Sequence, residues 1–194
     1  MEKTITPEES LLLITKTIEE TKERFKENGH IIVFWGALIV IVFGSQFLLS
    51  LLELYTYTIY PTYLFPLVGG GYMIYLWINE KRKNMPKTII GSVLGNLGWI
   101  IGLNLLIMGF FFWSRLGDAM APVFLILLAL MVFVCGVSIK YWPLAVGGAL
   151  VNLIGLGSFL LDRDYQGFSI MAGAVVGMII PGILLNTARR KENV

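Results

Sequence analysis

The sequence predicts an all-α, polytopic membrane protein: six transmembrane helices behind an N-terminal cytoplasmic amphipathic helix. Three observations carry this. Of 194 residues, 56% are hydrophobic and only 14% charged, with a mean hydropathy of +0.75, more apolar surface than one water-soluble core can hide. Six apolar segments separated by short polar connections account for the chain after residue 30. Nearly all the basic residues then fall on one side of the membrane.

The first 30 residues are polar and charged, so no cleavable signal peptide is expected and insertion begins with the first span. Thr6 can cap a helix, Pro7 suits its first position and Glu9 can complete a capping box. Leu11, Ile14, Ile18 and Phe25 recur at helical spacing, and Asn28 with Gly29 gives a stop signal. The pattern predicts an amphipathic helix over residues 7–27. Its polar face holds Glu8, Glu9, Glu19, Glu20, Glu23 and Glu27 against Lys16, Lys22, Arg24 and Lys26, so attraction to anionic lipid is weak. A cytosolic protein docking through residues 7–27 fits better; the alternative is packing on the cytoplasmic ends of the helix's own bundle.

The spans are expected at about 31–54, 61–79, 88–113, 120–138, 141–161 and 168–185 within a bundle of residues 31–187, followed by a basic tail at 188–194. The second is interrupted by Gly69, Gly70 and Gly71, and the sixth carries Gly173, Gly177, Pro181 and Gly182, interruptions that neighbouring membrane helices accommodate. Every Lys and Arg except Arg115 and Arg163 lies on the side of the N-terminus, which predicts cytoplasmic termini and, in a bacterial source, the cytoplasmic (inner) membrane. Aromatic residues at Phe110 to Trp113 and at Trp77, Tyr141 and Trp142 mark the two boundaries.

In the third span Gly91, Gly95, Gly98 and Gly102 fall within a band of roughly 60° at ~100° per residue, a groove for close backbone approach. Asn96 and Asn104 lie on the other side, and the span is expected at the centre of the bundle. In the fifth span Gly148, Asn152 and Gly155 share a face. Gly91, Leu94, Asn96 and Leu97 also match Gly147, Leu150, Asn152 and Leu153, which leaves repeated hairpins conceivable.

Catalytic chemistry finds few candidates. His30 is the only histidine and sits at a span edge, Cys135 is the only cysteine, and Asp162 and Asp164 flank Arg163 in a connection. No metal site, cofactor site or catalytic constellation is expected, nor any phosphate-binding or dinucleotide motif. A net charge of +2 with basic residues confined to segment ends argues against nucleic acid. Glu53 is either a buried acid in the outer part of the first span, hence functional, or a solvated boundary residue. Gln46, Asn96, Asn104 and Asn152 must face protein or water, since an unsatisfied amide in hydrocarbon costs several kcal/mol. They are helix-packing groups or, with Glu53, the lining of a polar path.

Glu9-Ser10-Leu11, Ile14, Ile18, Thr21-Lys22 and Trp35-Gly36 resemble the opening of small uncharacterised multi-span membrane proteins of Bacteroidetes. The resemblance implies an inner-membrane location and carries over no activity or site. The expected function is a non-enzymatic membrane module for assembly or regulation, surrounded by the lipid bilayer and forming a homo-oligomer; the alternative is a small channel or secondary transporter for a neutral or cationic solute.

Overall fold

The computed structural model describes residue 6 and residues 8–16, 29–83 and 89–192. These residues form helices and turns, with no strand among them. In chain order the helices are α1 (residues 8–16), α2 (Gly29–Leu51), α3 (Gly70–Lys83), α4 (Ile89–Phe111), the single turn α5 (Trp113–Leu116), α6 (Met120–Ser138), α7 (Trp142–Ser158), α8 (Arg163–Ala174) and α9 (Ile180–Glu192). The stretches Gly29–Leu51, Ser92–Phe111, Ser114–Ser138 and Tyr165–Thr187 are long and apolar enough to cross a membrane. The α7 helix is apolar but shorter, at 17 residues.

The second apolar segment, expected to be interrupted at Gly69 to Gly71, is irregular ahead of those glycines. It starts in a 3-10 turn at Tyr60–Tyr63, widens into a π-turn at Phe65–Gly69 and becomes α-helical only from Gly70. Pro61 and Pro66 supply the reason. Neither has an N–H to donate, so the ordinary i to i−4 ladder cannot run through them. A second π-turn, Val175–Ile179, joins α8 to α9 just ahead of Pro181. There the Ile180 N–H reaches back five residues to the Val175 carbonyl, the widened spacing that defines such a turn.

At the N-terminus the capping box forms: the Glu9 N–H donates to Thr6 Oγ1 at 3.2 Å and the Thr6 N–H donates to Glu9 Oε2 at 3.0 Å. Residues 17–28, which hold Ile18, Phe25 and Asn28 of the expected amphipathic helix, lie outside the described residues, as does Pro7. Two other helix ends use a left-handed residue that is not glycine. Glu53 (φ 56°) follows α2 and Lys140 (φ 53°) follows α6. In each case paired backbone bonds close the last turn: Leu54 N–H to the Leu49 carbonyl with Glu53 N–H to Ser50, and Tyr141 N–H to Gly136 with Lys140 N–H to Val137.

The α6–α7 hairpin is the centre of the packing, with α8, its π-turn and α9 laid against it and α2 laid against them. Glycines make these approaches possible. A Cβ on Gly148 would lie 2.5 Å from the Phe133 nitrogen, one on Gly155 would lie 3.0 Å from Leu125 Cβ, and one on Gly136 would run into the backbone of Ala145. On the other side Gly173 receives the Leu125 side chain and Gly177 that of Val151. Leu125, Val151 and Ala174 are fully buried between these surfaces. Where lipid is the solvent, no hydrophobic drive holds helices together, and dispersion across close backbones takes its place.

The Trp35-Gly36 pair organises α2. A Cβ on Gly36 would stand 2.8 Å from Ile179 Cγ1, and one on Gly69 would stand 2.6 Å from Trp35 Cη2. Both π-turns therefore land at one level of α2, one on each of two adjacent residues. The Trp35 ring lies 5.7 Å from Phe65 and 5.9 Å from Phe34, whose ring is 4.0 Å from Tyr72.

The third apolar segment is not central. Among the residues of α4 whose burial is described, Leu94 and Ile101 alone are buried, both on the stripe that leans on α6, and the Phe110 ring lies 6.1 Å from that of Tyr63 near its far end. The expectation of a central position is corrected for a physical reason: apolar side chains suit lipid and protein equally, so their number does not say which one a helix faces.

Candidate functional site

The glycines anticipated as packing positions divide into two groups. Gly148 and Gly155 of α7 meet α6 as described. Gly95, Gly98 and Gly102 of α4 have no described residue within 4 Å of an added Cβ. Gly91 is part of α4, but its surroundings lie outside the described residues. One open glycine edge thus runs along the side of α4 next to its α6-facing stripe, while the close seam inside the chain belongs to the hairpin. Gly136 and Gly177, which patterning did not single out as packing positions, complete that seam. A search for small residues facing each other across the α6–α7 turn would have found Gly136.

The polar candidates do not converge. Gln46 on α2 is half-buried and its Nε2 donates to Thr62 Oγ1 at 2.8 Å, tying α2 to the turn at Tyr60–Tyr63. Asn104 is exposed, and its Nδ2 donates to the Ile100 carbonyl of its own helix at 2.8 Å. Asn96 on α4 and Asn152 on α7 are exposed, and their side chains have no hydrogen-bond partner among the described residues. Their placement on α2, α4 and α7 gathers no common lining within one chain.

Glu53 is exposed at the left-handed end of α2, which is the boundary position of the two read from the sequence. Holding a side chain with a Cβ in that conformation costs roughly 1 kcal/mol or more. Glu53→Gly is therefore expected to raise the stability of the purified protein by about 1 kcal/mol, read as a higher midpoint in thermal unfolding in detergent. A lower midpoint would show that the carboxylate makes a stabilising contact.

Among the described residues three polar side chains are buried: Ser158, Gln166 and Ser169. Patterning singled out none of the three, and Gln166 is the one that ties separate elements together. Its Nε2 donates to the Asp118 carbonyl at 2.8 Å and, at 3.4 Å, to the Leu161 carbonyl, so one amide fastens the connections that precede α6 and α8. Ser158 donates to the Gly155 carbonyl and Ser169 to that of Gln166. Gln166 sits in the run Asp162 to Gln166, where neighbouring charges make it look like part of a connection ahead of a span at 168. The helix begins earlier, at Arg163, and burial follows.

An open, nearly apolar groove of about 660 Å³ lies between α2 and the turns that follow it, lined by Ile41, Ser45, Leu49, Tyr57, Tyr60 and Leu64 among others. His30 is exposed at the start of α2 and Cys135 is buried with a free thiol. Among the described residues no three His, Cys, Asp or Glu side chains stand together as metal ligands would. What the arrangement offers chemically is surface: an open glycine edge, exposed carboxamides and an apolar groove.

Fold and surface together define an all-helical protein with several helices apolar enough for a membrane. Comparison with family models, curated proteins and solved structures returns no match.

Proposed function

We propose that the chain is a non-enzymatic, six-span module of a cytoplasmic membrane that assembles with other membrane helices along the open edge of α4. The observation that carries this reading is the empty space at Gly95, Gly98 and Gly102 in a helix long and apolar enough to span. Glycine edges let helix backbones approach closely in lipid, and among the described residues this one meets no other helix. The 17 residues of α7 reach the lower limit for a span, and the helical run from Tyr60 through Lys83 serves as the second. The basic residues orient both termini to the cytoplasm. There the segment at 7–27 contacts a cytosolic protein; in its described part Leu11, Leu12 and Ile14 are exposed.

The test is self-association of labelled full-length chains in lipid vesicles, read by energy transfer. Gly98→Ile should weaken it at least about tenfold, the effect of about 1.4 kcal/mol of lost packing, and leave the helical content unchanged because the position is open. Removing residues 1–27 should leave self-association intact and abolish recovery of the cytosolic partner. Undiminished association of Gly98→Ile sinks the α4 interface.

A second reading, a channel or secondary transporter for a small neutral or cationic solute, draws on the exposed carboxamides of Asn96 and Asn152 and on the helix break ahead of Pro181. The absence of flux through reconstituted vesicles over a broad solute and ion panel eliminates it.

A further inference from the structure

We infer that α7 makes a second contact between copies, in which Asn152 pairs with Asn152 of another chain across a two-fold axis. The inference rests on the membrane reading above and uses a different face from the α4 edge. Asn152 is ten residues on from Trp142, the first residue of α7, which places it about 15 Å along the helix at 1.5 Å per residue. That is halfway through a hydrocarbon core of about 30 Å.

At that depth the residue faces outward. Val151 beside it is fully buried, whereas Asn152 is exposed, with Leu153 and Leu156 exposed around it. Its carboxamide has no partner among the described residues, unlike Asn104, whose amide turns back onto its own helix. Two N–H donors and a carbonyl oxygen then stand in a medium that supplies neither acceptor nor donor, at a cost of several kcal/mol if nothing covers them.

The complementarity identifies the occupant. A carboxamide carries a positive N–H edge and a negative oxygen edge, so two of them related by a two-fold axis satisfy each other. Copies of one chain insert with the same topology, which sets Asn152 of both at the same depth without further adjustment. An unrelated helix would have to offer an amide at that depth. Ala149, one turn away and also exposed, is short enough to let the two backbones close in.

The experiment uses full-length protein in vesicles, with Cys135→Ala to remove the only cysteine. Asn152→Leu should weaken self-association roughly 3- to 30-fold, the worth of an interhelical amide bond in lipid. Asn152→Cys should form a disulfide-linked dimer on oxidation, since such a bond needs Cα atoms within about 7 Å. Leu153→Cys, about 100° round the helix, should not. Unchanged association of Asn152→Leu, or equal cross-linking at 152 and 153, overturns the pairing. Rapid modification of Asn152→Cys by a membrane-impermeant thiol reagent overturns it too, because the position is then wet. If Gly98→Ile dissociates the chains and Asn152→Leu does not, this inference alone fails and the α4 interface stands.

Discussion

Gly148→Leu is expected to stop the α6–α7 hairpin from closing and to lower stability by about 3 kcal/mol or more, the upper range of overpacking effects. The reason is the identity of the neighbour. Where a glycine faces the tip of a flexible side chain, an added methyl can be absorbed by a rotamer change. At Gly148 the nearest atoms are the Phe133 nitrogen and Cα, 2.5 and 2.7 Å from the position of a Cβ. Backbone cannot rotate away, so the helices must part, and Gly136, pressed on the Ala145 backbone from the opposite partner, parts with them. Even Gly148→Ala should be clearly destabilised. Unfolding in mixed micelles followed by circular dichroism reads the loss, and Gly102→Ala, whose added methyl meets nothing within 4 Å, serves as the control with a near-normal midpoint. A wild-type midpoint for Gly148→Leu would mean that the hairpin does not pack through this seam.

Trp35→Ala carries the second large effect, a loss of about 3 kcal/mol localised to the first half of the second apolar segment. Truncating a large aromatic side chain in a water-soluble core costs about 3–5 kcal/mol; in lipid the transfer part shrinks and the packing part remains. Trp35 has much to lose. Its ring covers Gly69, packs on Phe65 and meets Phe34 edge-on. Because Pro66 has already removed a backbone bond from the π-turn, that turn depends on this ring more than a regular helix would. Hydrogen exchange should show faster opening of the amides of residues 64–70 in Trp35→Ala, with α6 and α7 exchanging as before. Equal acceleration in the hairpin would make Trp35 a support of the whole bundle instead.

Much of the helical plan was legible from the residues in order. A helix covers Met120–Ser138, the apolar run read from the sequence, and the Thr6 and Glu9 capping box forms as its spacing requires. Such features are local: a capping box needs residues three apart, and an apolar run needs only its own composition. The second segment was legible as a broken helix through Gly69 to Gly71, although the prolines shape it at least as much. Exposed Glu53 was harder to place, because a left-handed helix end usually announces itself by glycine and here does not.

The candidate site was less legible, and the glycines show why. Gly95, Gly98 and Gly102 make the more regular pattern, yet they border open space, while Gly136, Gly148 and Gly155 hold the hairpin together. The same one-dimensional spacing serves both cases. Composition and charge order by themselves determined an all-helical chain with apolar segments, because burial of backbone hydrogen bonds in lipid admits few alternatives to the helix. Which glycine edge is closed by the chain and which is left open was decided only by the tertiary structure, since apolar side chains are indifferent between lipid and protein and the choice of neighbour rests on contacts between residues far apart in sequence.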